Sequence, residues 1–129
     1  MNCRGCRPRR LGLFAVMFII FTSTAHAASL EEGRQIFNKY CILCHTWGGG
    51  DKIGPDLQGV TERREPEWLE GYIQKPSEYF KKRDPIAMAL KDKYRIPMTD
   101  LGLKADQVES VLLYMRSLLS ESAPESTPQ

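Results

Sequence analysis

The chain has 129 residues, 42% of them hydrophobic and 26% charged, with 18 Lys and Arg against 16 Asp and Glu. That is room for one small domain, and this composition excludes a disordered or low-complexity chain, while no self-similar period marks a repeat architecture. Four of the 18 basic residues and none of the acidic ones lie in the first 27 positions, so residues 28–129 carry a net charge of −2 and give no support to a nucleic-acid partner.

The first block is set apart by its order. Arg4, Arg7, Arg9 and Arg10 form a positive head, an apolar run follows from Leu11 to Phe21, and Ala25-His26-Ala27 ends it. This is the layout of a secretory signal peptide over residues 1–27, with cleavage expected after Ala27. A retained anchor is the alternative, but a spanning helix wants about 20 apolar residues, and this run has 11. The mature protein is therefore expected in the periplasm with no membrane span. Cys3 and Cys6 fall within the leader and are discarded with it, leaving Cys41 and Cys44.

The mature region, a domain over residues 28–120, reads as about four short amphipathic helices. Leu30, Gly33, Ile36, Phe37 and Tyr40 share one face of the first, and Ser29 with Glu32 forms a capping-box start. A glycine-rich loop is expected from Thr46 to Thr61. Pro66 suits the first turn of a second helix, with Trp68, Leu69, Tyr72 and Ile73 inward, and Pro76 stops it. Asp84-Pro85 caps and opens a third, reaching about Tyr94, with Ile86, Ala87, Leu90 and Tyr94 inward; Pro97 forbids its continuation. The last spans roughly Ala105 to Ser120, with Val108, Val111, Leu112, Met115, Leu118 and Leu119 inward and Glu109, Ser110, Arg116 and Ser117 outward. Residues 121–129 are expected to be a flexible C-terminal tail. No segment alternates like a strand, so the fold class is all-α. Four short helices make a thin core, which a flat apolar cofactor at the centre would complete.

The chemistry is concentrated in Cys41-Ile42-Leu43-Cys44-His45. Cys-x-x-Cys-His is the attachment pattern of c-type haem. Two thiols one turn apart can each add to a vinyl group on one edge of a porphyrin, and the next residue's imidazole can then turn onto the iron. A disulfide would close only two intervening residues. A zinc site wants four ligands, and the mature chain offers three, because His26 lies in the leader. A thioredoxin-like pair would need an α/β frame.

The second iron ligand must come from elsewhere. With no other histidine in the mature chain, methionine is the candidate, and Met/His ligation raises the reduction potential. Met115 sits in the last helix's apolar stripe and reads as packing, and Met88 projects to the polar side of the third helix. Met98 follows Pro97 in a segment that cannot be helical, where an extended loop can lay a thioether across the haem.

Taken together, the first helix running into Cys41-x-x-Cys44-His45, then Gly54-Pro55-Asp56-Leu57, Pro97-Met98 and a closing helix with Tyr114 resemble the class I c-type cytochromes, in particular small bacterial monohaem cytochromes c. The match runs over nearly all of residues 30–119. The resemblance implies the class I cytochrome c fold around one covalently bound haem c, with the Pro55 carbonyl receiving the His45 ring N–H. It also implies a crossing of first and last helices, where Gly33 meets the face bearing Val111 and Tyr114. Lys104 departs from the serine or threonine cap usual before the last helix.

The function expected is one-electron transfer between redox protein partners, not catalysis: a six-coordinate iron leaves no open site. The electron-entry subunit of a larger redox enzyme would share every feature above. A gas-binding or peroxidatic cytochrome would follow if Met98 does not ligate. Lys81-Lys82-Arg83 and Lys91, Lys93 and Arg95 form two basic clusters, either of which could flank the haem edge and steer acidic partners.

Overall fold

Ser29 caps the first helix. In the computed structural model, which describes residues 28–122, its hydroxyl accepts the N–H of Glu32 and opens helix α1, Leu30–Tyr40. The expected leader and residues 123–129 of the expected tail lie outside the described residues. A 3-10 turn, Cys41–Leu43, continues α1 directly. Five helices follow: α2 Val60–Arg63, α3 Pro66–Gln74, α4 Pro76–Lys81, α5 Pro85–Tyr94 and α6 Ala105–Ser122. Among the described residues there is no strand, and no helix is long and apolar enough to cross a membrane.

Two of these helices were not anticipated. α2 has four residues and α4 has six, too short for an apolar stripe to repeat. Pro76 does stop α3, but it also opens α4, because a proline at the first helical position lacks only an N–H that would be orphaned anyway. The joint is Lys75, held out of the helical region at φ −149°, ψ 69°, as the residue before a proline must be. α6 runs two residues beyond the expected Ser120, into the segment assigned to the tail. α5 starts as expected, with the Asp84 carboxylate accepting the Ala87 N–H, and ends with Arg95 in the left-handed region at φ 65°.

α1 and α6 make the most extensive helix contact. Gly33 permits it: a Cβ there would lie 1.9 Å from the Ser110 carbonyl oxygen and 3.0 Å from the Tyr114 Cβ. The closest contacts are with Ser110 and Tyr114, so the face expected from Val111 and Tyr114 also includes Ser110. Ser110 is correspondingly buried, not outward as its polarity suggested. Its hydroxyl receives the Ser29 N–H at 3.0 Å and contacts the Glu32 carboxylate at 3.3 Å. The capping box is therefore shared between helices: Ser29 caps Glu32, and Ser110 of α6 replaces the Glu32 side chain as partner of the Ser29 N–H. Leu30, expected inward, is 48% exposed. At α6 the missing serine cap is partly offset, since Gln107 Oε1 accepts the Lys104 N–H at 3.1 Å.

Ile36 and Phe37 of α1, Leu69 and Ile73 of α3, and Val108, Val111, Leu112 and Met115 of α6 form the core with Leu57 and Leu103. Phe37 packs edge-on against Tyr114 at 5.4 Å and Trp47 at 6.2 Å between ring centroids. Burial at about 25 cal/mol per Å² of apolar surface is the main stabilising term in such a core. Its effect here is to fix the end of α1, and hence Cys41, against α6.

Candidate cofactor site

The turn at the end of α1 gathers the reactive groups. Both Cys44 and His45 direct their N–H groups to the Cys41 carbonyl, at 3.2 and 2.9 Å, so the Cys-x-x-Cys-His segment is wound as one tight turn. Cys41 and Cys44 are free thiols, the first buried and the second half-buried. Burial pushes the Cys41 thiol up to about 11, with the neighbouring Cys44 adding to the rise.

His45 is held by the loop that follows. Its Nδ1 lies 2.8 Å from the Pro55 carbonyl oxygen, which can only accept, so Nδ1 carries a proton and donates it, and Nε2 is the ring nitrogen left for another partner. Gly54 makes room for the ring: a Cβ there would lie 2.6 Å from His45 Cε1. The loop itself is tied to the turn by Gly54 N–H to Cys44 carbonyl at 2.8 Å and Leu57 N–H to Thr46 carbonyl at 2.9 Å.

Asp56, next to Pro55, organises the glycine-rich segment. Its carboxylate accepts the N–H groups of Gly48, Gly50 and Gln58 at 2.8, 2.6 and 2.8 Å and the Thr46 hydroxyl at 3.0 Å. Burial raises its pKa, but the hydrogen bonds from Gln58, Gly48, Gly50 and Thr46 outweigh this and bring it down to about 2.

Cys41, Cys44, His45 and Pro55 all line one cavity of about 800 Å³. Met98 lines the same cavity, half-buried, with Ile96 and Pro97 beside it. Met88 is half-buried and does not line it. Met115 reaches it from α6 but is a core residue at 2% exposure. All five residues singled out from the sequence are thus brought together.

Others were missed. Trp68, expected only as a packing residue, stands in the cavity wall stacked on Tyr72 at 4.6 Å, with the Arg64 guanidinium 5.7 Å from its ring. Its indole N–H is the one buried side-chain polar atom without a hydrogen-bond partner among the described residues. A buried unpaired donor costs about 1–3 kcal/mol, so the cavity calls for a guest carrying an acceptor. Arg63 and Arg64 also line it. Two thiols, one imidazole nitrogen, apolar walls and an orphaned N–H beside arginines match a porphyrin with carboxylate side chains. The residues fit a haem. No pattern in the sequence announced Trp68, because its polar atom belongs to a residue that otherwise completes an apolar stripe.

A helical fold with a haem-attachment turn leading into such a cavity defines a c-type cytochrome. The comparisons agree: the family model "Cytochrome c" matches residues 30–119, and the chain belongs to that family. It is 29% identical to cytochrome c2 of Rhodospirillum rubrum over 83% of this chain and 97% of that protein. Among solved structures, cytochrome c from Rhodothermus marinus superposes with a TM-score of 0.67 at 32% identity, over 72% of this chain and 78% of that one. The cytochrome c domain of a Pseudomonas putida protein gives 0.65 at 34% identity, over 74% and 95%. Cytochromes c of this family carry one covalently attached haem c and transfer electrons between redox partners; this chain is an electron carrier, not an enzyme.

Proposed function

We propose that this protein is an exported, periplasmic one-electron carrier whose haem is joined to Cys41 and Cys44, with His45 as proximal and Met98 as distal iron ligand. The observation that carries this reading is the cavity shared by those four side chains. The haem supplies the one-electron couple. The protein residues supply its placement: the Pro55 carbonyl holds the His45 ring by its Nδ1 proton and leaves Nε2 free to ligate. A thioether opposite an imidazole stabilises the reduced state and raises the potential. Trp68, Arg63 and Arg64 would meet the haem carboxylates.

Export is read from the order of the first 27 residues: the head of Arg4, Arg7, Arg9 and Arg10, the apolar run from Leu11 to Phe21 and the Ala25-His26-Ala27 end are the parts of a secretory signal peptide.

Of the two basic clusters, Lys91 and Lys93 line the cavity, whereas Lys81, Lys82 and Arg83 do not. Ile53 and Ile96, 41% and 62% exposed, line it too, and Ile42 and Leu43 are exposed between the two cysteines. An apolar centre beside lysines suits an acidic-rimmed redox partner. The test is optical. The ferric protein should show a thioether-to-iron band at the red end of the visible spectrum, absent in Met98→Ala, and the reduced protein should resist carbon monoxide. An unchanged band in Met98→Ala, or fast stoichiometric carbon monoxide binding by the wild type, would defeat the ligation reading.

A further inference from the structure

Asp51 belongs to no helix and to no motif, yet it bridges the two segments that carry the proposed iron ligands. Its Oδ1 accepts the Asp56 N–H at 3.2 Å, while its Oδ2 accepts Lys93 Nζ at 2.9 Å and the Tyr94 hydroxyl at 2.8 Å. Asp56 adjoins Pro55, whose carbonyl holds His45. Lys93 and Tyr94 close α5 and stand five and four residues before Met98. Asp51, Asp56, Lys93, Tyr94 and Met98 all line the cavity.

Little else secures the end of α5. Ala87 is its only buried residue, and its principal helix neighbour is α4, adjacent in sequence. The ties from Asp51 span 42 and 43 positions of chain. The Lys93 ammonium also lies 4.7 Å over the Tyr94 ring, so both donors reach the same carboxylate oxygen as a unit. Backbone geometry then passes the constraint on, because Arg95 turns left-handed and Pro97 stiffens the approach to Met98.

We propose that Asp51 is a positioning residue for the distal ligand, a clasp that keeps the Met98 segment closed over the haem. The proposal rests on the His45/Met98 reading. An external ligand can reach the iron only when that segment opens, so its apparent affinity is reduced by the small fraction of molecules that are open. Opening must part Asp51 from Lys93 and Tyr94. Exposed ion pairs are individually weak, which sets the size of the effect: removing the clasp should multiply the open fraction severalfold rather than by orders of magnitude.

The experiment is an imidazole titration of the ferric holoprotein, followed through loss of the thioether band. Asp51→Ala should bind imidazole about fivefold more tightly than wild type, and Lys93→Ala and Tyr94→Phe about twofold each. Glu78→Gln breaks another exposed pair, Glu78–Lys81 at 2.9 Å on α4, and should leave the affinity unchanged. Equal imidazole affinity in wild type and Asp51→Ala would overturn the clasp while leaving Met98 ligation intact. So would a rise matched by Glu78→Gln, which would mark general loosening. A wild-type protein with no thioether band would remove the ligation reading, and this inference with it.

Discussion

Gly33→Ala tests the packing that places Cys41. In an isolated helix this change would favour folding by about 1 kcal/mol. In this protein the new Cβ would sit 1.9 Å from the Ser110 carbonyl oxygen and 2.5 Å from its carbonyl carbon. Both are backbone atoms in the middle of α6 and cannot rotate aside. Reaching even a tight contact needs more than an ångström of separation between α1 and α6, along a face that includes fully buried Val111 and Ser110. Separation also pulls Ser110 Oγ from the Ser29 N–H, leaving that part-buried donor without its partner. Overpacking of this kind typically costs 1–3 kcal/mol, and with the lost pairing a net loss of about 3 kcal/mol is expected. For a domain of about 95 residues, each kcal/mol is worth roughly 4–8 °C in Tm, so the holoprotein should melt roughly 12–24 °C lower. Thermal unfolding followed by far-ultraviolet circular dichroism measures it, with Gln35→Ala on the exposed face of α1 as control. A Tm within about 2 °C of wild type would refute the reasoning, since the helices would then tolerate a Cβ at their closest approach.

Acid should weaken the glycine-rich loop through Asp56, whose folded pKa of about 2 lies below its ordinary value of 3.8. A lowered folded pKa gives stability that is present above the ordinary value and lost as pH falls towards the folded one. The stability gap between wild type and Asp56→Asn should therefore be widest near neutral pH and close between about pH 4 and 2 in denaturant titrations; a pH-independent gap would contradict it. Partner encounter should depend on the lysines at the cavity, not on those at the end of α4. Lys91→Glu should slow electron transfer to an acidic redox protein severalfold at low ionic strength, with Lys82→Glu nearer wild type. Equal slowing by both, or rates indifferent to salt, would count against docking at the cavity.

The haem attachment turn was legible because its chemistry is local: Cys41, Cys44 and His45 need only their spacing along the chain. The longer helices were legible from apolar stripes, as with Ile36 and Phe37 or Val108, Val111 and Leu112. α2 and α4 were not, since a stripe cannot repeat in four or six residues. Ser110 was misplaced because polarity alone puts a serine outside. The approach at Gly33 buries it, and its hydroxyl is satisfied there by Ser29 and Glu32. Asp51 gave no signal in one dimension, because its partners lie 42 and 43 residues away. Met98 was reached by elimination, and its place in the cavity wall follows from the proline and the left-handed Arg95 that break the chain out of α5.

The most direct test is the intact mass and colour of the exported protein after extraction with acidified acetone. Two thioether links at Cys41 and Cys44 predict a red protein, resistant to extraction, with the mass of the chain from Ala28 onward plus one haem. A colourless protein, or one whose pigment leaves to give the bare chain mass, would contradict covalent attachment at those two sulfurs.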